Sequence, residues 1–116
     1  MSQAINAALS ALGALGVNLN VTANNIANVN TNGFKKSQVI FEDTEPYGVT
    51  ASISEVDTPG GPVPSADGSQ QMKESSNVDL AEEIVNLNLT ERTFEANTKP
   101  IKAEEQMTGN LLDIVG

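Results

Sequence analysis

The side chains of this chain that could do chemistry are carboxylates and amides. Glu82 with Glu83, and Glu104 with Glu105, form adjacent acidic pairs. Neighbouring residues of a helix point about 100° apart, so neither pair forms the facing acid and base of a hydrolase. The chain has no histidine and no cysteine, which removes the common nucleophile–base pairs and zinc sites. We therefore expect no enzyme, no catalytic residue, no metal site and no cofactor.

The amides are concentrated near the end of the first apolar segment, at Asn24, Asn25 and Asn28. Asn24 and Asn28 are four residues apart and share one face of a helix. Amide groups both donate and accept hydrogen bonds, so they can fix the register of a close contact. We expect these amides to bond neighbouring subunits. The alternative is that they mark the fraying end of a helix, where asparagine is tolerated.

Charge is distributed unevenly along the 116 residues. The formal net charge is −9, all 15 acidic residues lie from Glu42 onward, and the first 41 residues carry only Lys35 and Lys36. Scattered cations on an acidic chain argue against nucleic-acid binding, which needs clustered ones. The near-neutral N-terminal arm is the segment expected to be buried most deeply, because it would bring few charges to desolvate.

The N-terminus lacks the basic region of a secretory signal, so any export is expected to proceed without a cleaved signal peptide. No stretch reaches the roughly 20 consecutive apolar residues of a membrane span. We therefore expect no direct membrane insertion. The absence of cysteine excludes disulfides.

Residues 1–34 predict an N-terminal helix and a turn. Large apolar residues recur every seven positions, the spacing of a coiled-coil seam: Ile5, Leu12, Leu19 and Ile26. Leu15 fills an intervening position of the same seam. The helix is expected over 3–28. Asn32-Gly33 is a turn signal, and Gly33 suits a left-handed backbone position.

Residues 35–76 predict a short β/loop insert. Segments 35–42 and 48–56 have strand character, and in the second Val49, Ala51 and Ile53 alternate with polar residues, as in a half-buried strand. Residues 57–70 contain three prolines and three glycines, so we expect them to hold no regular structure.

Residues 77–116 predict a C-terminal helix, with Asn77 or Asp79 as its N-cap. A second seven-residue repeat continues the pairing pattern, at Leu80, Leu87, Phe94 and Ile101, with Ile84 and Leu112 in the intervening positions. Pro100 predicts a kink near 96–100 or a break into two helices. The fold class is therefore mainly α, with long terminal helices that pair as a coiled-coil-like bundle around a short β/loop insert.

At its two ends the chain resembles the rod and hook family of bacterial flagellar axial proteins. The family pattern A-N-N-[IL]-A-N-x-x-T-x-G-[FY] is matched by residues 23–28 and by Thr31, Gly33 and Phe34. The pattern V-[ND]-[LV]-x-E-E-[MI]-V is matched at 78–85, including Glu82 and Glu83, and the F-E-A-N block at 94–97 includes Glu95 and Asn97. The resemblance covers roughly 5–42 and 77–115. The brief middle is most similar to that of the short proximal rod proteins.

The resemblance implies a structural subunit of the basal-body rod, the drive shaft that crosses the periplasm and transmits torque. Its implied partners are copies of itself, other rod subunits and the flagellar type III export apparatus, with no nucleic acid and no small-molecule substrate. The matched motif residues would then make subunit contacts. Two other classes stay open: a soluble helical-hairpin adaptor or chaperone that binds a partner helix, and an amphipathic lipid-surface protein. The latter is disfavoured because neither helix has a basic polar face.

Overall fold

The computed structural model describes residues 2–64, 68 and 72–115 and contains two long helices joined by short strands. The elements are α1 (Ser2–Ala27), β1 (Ser37–Asp43), β2 (Val49–Glu55), β3 (Pro62–Pro64), β4 (Met72–Glu74) and α2 (Leu80–Val115). The molecule is elongated, with principal extents of 78 × 25 × 17 Å. The prediction of a mainly α chain with two long helices and a small β insert is confirmed.

The two helices lie side by side and antiparallel. Three hydrogen-bonded side-chain pairs join them: Asn25 with Glu83, Thr22 with Asn86, and Asn18 with Thr90. Residue numbers fall along α1 while they rise along α2, so the helices are antiparallel. α1 has no acidic residue in its first turn and no basic residue in its last. It therefore gains nothing from charges placed against its dipole, and its stability depends on packing.

The start of α2 is fixed by Asp79. Its Oδ1 accepts a hydrogen bond from the Ala81 backbone N–H at 3.1 Å, and Glu82 and Glu83 lie in the first turn. This is the N-cap arrangement, in which a side-chain oxygen satisfies an otherwise free helical N–H and acidic groups complement the dipole. Of the two N-cap candidates, Asp79 is the one confirmed.

α2 runs continuously through Pro100, so the proline does not divide it into two helices. The proline leaves the carbonyl of Ala96 without its helical partner. Ala96 and Pro100 are both exposed, so water can solvate that carbonyl. The cost of the proline is thus reduced at this position, while a bend near 96–100 stays a prediction.

β1 and β2 form an antiparallel ribbon with Val39 opposite Ile53. Val49 and Ala51 are half-buried as expected, but Ile53 is 60% exposed and Ser54 is the half-buried residue near that end. The expectation that Ile53 faces inward is therefore wrong. Two-stranded ribbons twist strongly, so one face cannot follow a straight helix over the whole strand.

β3 and β4 form a second, smaller ribbon in which Val63 lies opposite Lys73. The expectation that residues 57–70 hold no regular structure is wrong for Pro62–Pro64; residues 65–67 and 69–70 of that segment lie outside the described residues. Proline is tolerated in an edge strand because its missing N–H need not serve the ladder.

Gly33 has a φ of 79°, so its predicted left-handed conformation is confirmed. It lies in the turn after α1, where the Phe34 N–H bonds to the Thr31 carbonyl at 3.2 Å, and its own N–H bonds to the Glu74 carbonyl at 2.7 Å. The turn therefore ties the end of α1 to β4.

By length and composition, Gln3–Ala27 is apolar enough to cross a membrane. The expectation that no segment has this property is thus wrong for α1. That expectation was based on the length of uninterrupted apolar runs, whereas the many alanines and glycines make the mean hydropathy of the whole helix high. The buried face of α1 nevertheless carries Asn18, Thr22 and Asn25, which are costly in hydrocarbon unless hydrogen-bonded.

Candidate assembly interface

The contact between α1 and α2 is a ladder of polar side chains, which we call the polar seam. Asn18 Nδ2 donates to Thr90 Oγ1 at 2.8 Å, and Asn86 Nδ2 donates to Thr22 Oγ1 at 3.3 Å. Asn25 Nδ2 lies 3.3 Å from Glu83 Oε1. The residues are three or four apart on each helix, so each set occupies one face. Because buried amides and hydroxyls need partners, the seam fixes one antiparallel register.

Asn25 connects three elements. It is 1% exposed, its Nδ2 donates to the Ser37 carbonyl at 2.8 Å, and its Oδ1 accepts from the Ser37 N–H at 3.1 Å. The amide thus pairs with the start of β1 as a neighbouring strand would, while also reaching Glu83 on α2. Asn25 therefore attaches the β1–β2 ribbon to the helix pair.

Glu83 contributes a carboxylate to the seam and is 5% exposed. Its Oε2 has no hydrogen-bond partner among the described residues. Burial raises the pKa of Glu83, because the charged form loses hydration, and the hydrogen bond from Asn25 opposes the shift. Lys36 also favours the charged form, whereas Glu82 and Asp79 disfavour it. Glu83 is thus a buried acid that is only partly compensated.

The buried interior is small and mostly polar. Among the described residues, four apolar ones are buried, Ala8, Ala14, Leu15 and Val21, against five polar ones, Asn18, Thr22, Asn25, Glu83 and Thr90. Seven of these nine lie on α1, in keeping with the expected deeper burial of the N-terminal arm. With so few apolar groups inside, the chain keeps much of its apolar surface at the outside.

The residues predicted to pair the helices divide into two groups. Leu15 is buried, and five others are half-buried: Ile5, Leu12, Ile26, Leu87 and Ile101. The remaining five are exposed by 43 to 67%: Leu19, Leu80, Ile84, Phe94 and Leu112. Single exposed apolar residues are normal, but a continuous set along two helices marks an interaction surface.

An open groove of 610 Å³ runs along one side of the helix pair. We call it the apolar groove; α1 contributes Leu15, Gly16 and Leu19 to it, and α2 contributes Leu87, Asn88, Thr90, Glu91, Phe94 and Glu95. On the other side, β1 and both helices enclose a more polar cleft of 370 Å³ next to Glu83. The predicted motif residue Glu95 thus lies on the rim of the apolar groove.

Asn24 and Asn28, near the end of α1, bond to each other and to the helix itself. Asn28 Nδ2 donates to the Asn24 carbonyl at 2.9 Å, and Thr31 Oγ1 lies 3.1 Å from Asn28 Oδ1. On α2, Asn97 Nδ2 donates to the Thr93 carbonyl at 2.9 Å. These three motif residues are therefore partly satisfied within one chain, while Phe34 is half-buried next to the turn.

Asn77 is a connecting residue that sequence reasoning considered only as an N-cap. Its Oδ1 accepts from the Lys36 N–H at 2.7 Å, and its Nδ2 donates to the carbonyls of Val56 and Thr58 at 2.8 and 2.9 Å. It therefore holds the ends of the β1–β2 ribbon against the start of α2. The sequence places Asn77 near the start of α2 but contains no signal for these contacts.

Asn18, Asn86 and Thr90 were also missed. Their signal was present, because polar residues recur at helical spacing on each helix, but a search for apolar periodicity passes over them. The resulting architecture, two long helices with a polar contact between them and apolar residues outside, is typical of a structural subunit.

Comparisons with known proteins agree with this class. Residues 5–35 match the family model described as flagella basal body rod protein, and residues 69–114 match the flagellar basal body rod FlgEFG protein C-terminal model. The flagellar basal-body rod protein FlgG of Buchnera aphidicola subsp. Baizongia pistaciae is 58% identical over 43 residues, which cover 37% of this chain and 16% of that protein. FlgG of B. aphidicola subsp. Schizaphis graminum is 59% identical over 32 residues, 28% of this chain and 12% of that protein.

The chain belongs to the flagellar basal-body rod protein family. This family is structural and not enzymatic. The matched segments span less than a fifth of the length of the curated relatives. The two family matches correspond to α1 with its turn and to α2 with the segment before it.

Proposed function

We propose that this chain is a rod subunit that self-assembles through its two helices into the torque-transmitting shaft. The observation that carries the proposal is the exposure of apolar residues along both helices while their mutual contact is polar. Burial of one such side chain contributes about 1.5 to 3 kcal/mol. Contact with neighbouring subunits is the arrangement that would remove this surface from water, and it would take the form of coiled-coil-like packing.

The proposed partners are copies of the chain, other rod subunits and the flagellar type III export apparatus. The chain's short insert supports a place among the short proximal rod proteins. The motif residues Asn24, Asn28, Thr31, Glu82 and Asn97 are proposed to lie at subunit contacts, since they stay near the surface.

The test uses Val85 and Leu89, which are 57% and 58% exposed and share one face of α2. Leu89→Asp and Val85→Asp are expected to block assembly, because a buried carboxylate without a partner is costly. Both residues also line the cleft next to Glu83, so circular dichroism of the isolated variants is measured to check that they fold. A strain lacking the gene is complemented with each variant. Swimming and the presence of the chain in detergent-extracted basal bodies are then measured.

Asn20→Asp is the matched control, because it adds the same charge at an exposed polar position of α1. It is expected to swim normally. A wild-type chain that stays in the cytoplasm would favour the adaptor or chaperone alternative. Normal swimming with Val85→Asp and Leu89→Asp would exclude this apolar face from assembly.

A further inference from the structure

The end of α2 extends beyond the start of α1. Asn18 is hydrogen-bonded to Thr90, so these two residues lie at the same level of the antiparallel pair. Sixteen residues before Asn18 is Ser2, and sixteen residues after Thr90 is Gln106, so Gln106 lies at the level of Ser2. Residues 107–115 therefore continue for about 13 Å past the level at which α1 begins. We call residues 107–114 the α2 tip.

The α2 tip carries four exposed apolar side chains: Met107, Leu111, Leu112 and Ile114, at 49, 56, 67 and 81% exposure. Met107, Leu111 and Ile114 have the i, i+4, i+7 spacing of residues that anchor a helix in a groove. Asp113 is the one charged residue of the tip and does not share their face. Burial of this face would therefore desolvate little charge.

The apolar groove is a matching surface. Its walls include Leu19 and Phe94, which are 48% and 44% exposed. A Cβ atom added to Gly16 would meet no heavy atom within 4 Å, so the groove is open at this glycine. Its volume lies within the range of about 300 to 1,000 Å³ that is usual for ligand pockets.

A chain cannot fill its own groove with its own tip. Phe94 and Met107 belong to the same continuous helix and are thirteen residues, or about 20 Å, apart along its axis. The two surfaces can meet only between copies of the chain.

We propose that the apolar groove of one copy binds the α2 tip of a second copy. The inference rests on the proposed self-assembly and names the surfaces that carry it. Because the groove and the tip are different surfaces, the contact is heterologous, and its repetition without closure produces an open row of subunits.

The groove is tested with Gly16→Leu, which places a side chain into the open space. Gly13→Leu is the matched control, since a Cβ at Gly13 also meets nothing within 4 Å and Gly13 lies outside the groove. Leucine is a better helix former than glycine, so loss of helix cannot explain a loss of association. Sedimentation velocity over a concentration series is expected to show wild type and Gly13→Leu associating alike, and Gly16→Leu requiring at least about tenfold higher concentration.

Leu111→Asp disables the tip and leaves the groove intact. Alone, it is expected to associate as poorly as Gly16→Leu. Mixed with Gly16→Leu, it supplies the groove for that variant's intact tip, so the two are expected to form a one-to-one complex that cannot grow further.

Two outcomes would overturn the groove–tip contact while self-assembly stands: wild-type association by Gly16→Leu, or a mixture that remains monomeric although wild type associates. If neither variant changes self-association but both variants are missing from basal bodies, the groove binds another rod subunit. This outcome would also overturn the proposal. A wild-type chain that is monomeric throughout and missing from basal bodies would refute the proposed function itself.

Discussion

A single amide, that of Asn25, holds together three parts of the molecule. It satisfies both backbone groups of Ser37 and reaches Glu83 Oε1. Side chains of similar length that lack both a donor and an acceptor cannot replace it. The position therefore needs an amide even if the isolated chain never meets another subunit, and a role in folding explains this motif residue without any partner.

Asn25→Ala is expected to lower the free energy of unfolding by about 2 to 4 kcal/mol, because it leaves buried polar groups of Ser37 and Glu83 without partners. Chemical denaturation followed by circular dichroism measures the change. Asn24→Ala serves as the control, since Asn24 is exposed next to it, and should stay within about 0.5 kcal/mol of wild type. Equal effects of the two substitutions would contradict the connecting role of Asn25.

Glu83 gives the chain a pH-dependent stability. Its pKa is raised by burial, so between the ordinary glutamate pKa and the raised value the folded chain holds a proton that the unfolded chain has lost. The contribution of Glu83 to stability is therefore present at low pH and is lost as the pH rises through this window. Lys36 reduces the effect, whereas Glu82 and Asp79 enlarge it.

Glu83→Gln is expected to become more stable relative to wild type as the pH rises above the ordinary glutamate pKa. Denaturation midpoints measured from acidic to neutral pH provide the test. Glu74 titrates in the opposite sense, because the hydrogen bond from Lys35 lowers its pKa, so its contribution is lost at lower pH. Glu95→Gln, at an exposed carboxylate, is the control, and an equal pH response in both variants would exclude Glu83 as the source.

At the scale of the elements, α2 is a long helix that keeps a proline in its interior. The fragment after Pro100 has little to hold it: Gly109 adds a second weak point, and the tip lies beyond α1. Interior proline costs about 3 kcal/mol relative to alanine in a helix. The position of Pro100 on an exposed side reduces this cost but does not remove it.

Pro100→Ala is therefore expected to raise the helix content of α2 and to stabilise the folded chain by about 1 to 3 kcal/mol. Far-ultraviolet circular dichroism and thermal unfolding check both effects. Gly109→Ala should stabilise by about 1 kcal/mol at most, which gives a graded comparison. No change with Pro100→Ala would mean that the helix already accommodates the proline without strain.

The sequence predicted the helices, Asp79 as one of two N-cap candidates and the left-handed Gly33, since each depends on local chemistry. It did not predict the polar seam. Seven-residue apolar repeats indicate that a face will be buried, but they do not indicate whether the partner belongs to the same chain. Leu15 is buried within the chain whereas Leu19 and Phe94 are not, although all three belong to the predicted seven-residue patterns of the two helices.

Local sequence patterns also did not predict which residues of the β insert contact the helices. Alternation predicts that Ile53 faces inward, yet the twist of a two-stranded ribbon turns it outward. Asn77 bridges segments more than 40 residues apart, so its role depends on a topology that no local pattern contains. Such residues are found only once the elements have been assembled.

The whole molecule combines an apolar exterior with a strongly negative charge. All 15 acidic residues lie in residues 42–116, and the net charge is −9. Copies of the chain therefore repel one another at long range while their apolar surfaces attract at contact. This combination fits the proposed function, because the repulsion would keep copies separate until their apolar surfaces meet.

The balance predicts a specific salt dependence. Raising sodium chloride from about 0.05 to 0.5 M shortens the Debye length to a few ångströms, so the repulsion is screened while the apolar contact is little affected. Self-association measured by sedimentation is therefore expected to strengthen with salt. Sodium chloride is preferred to sulfate, because sulfate would strengthen apolar contacts by itself. Association that weakens with salt would mean that ion pairs between subunits, and not apolar burial, provide the dominant attraction.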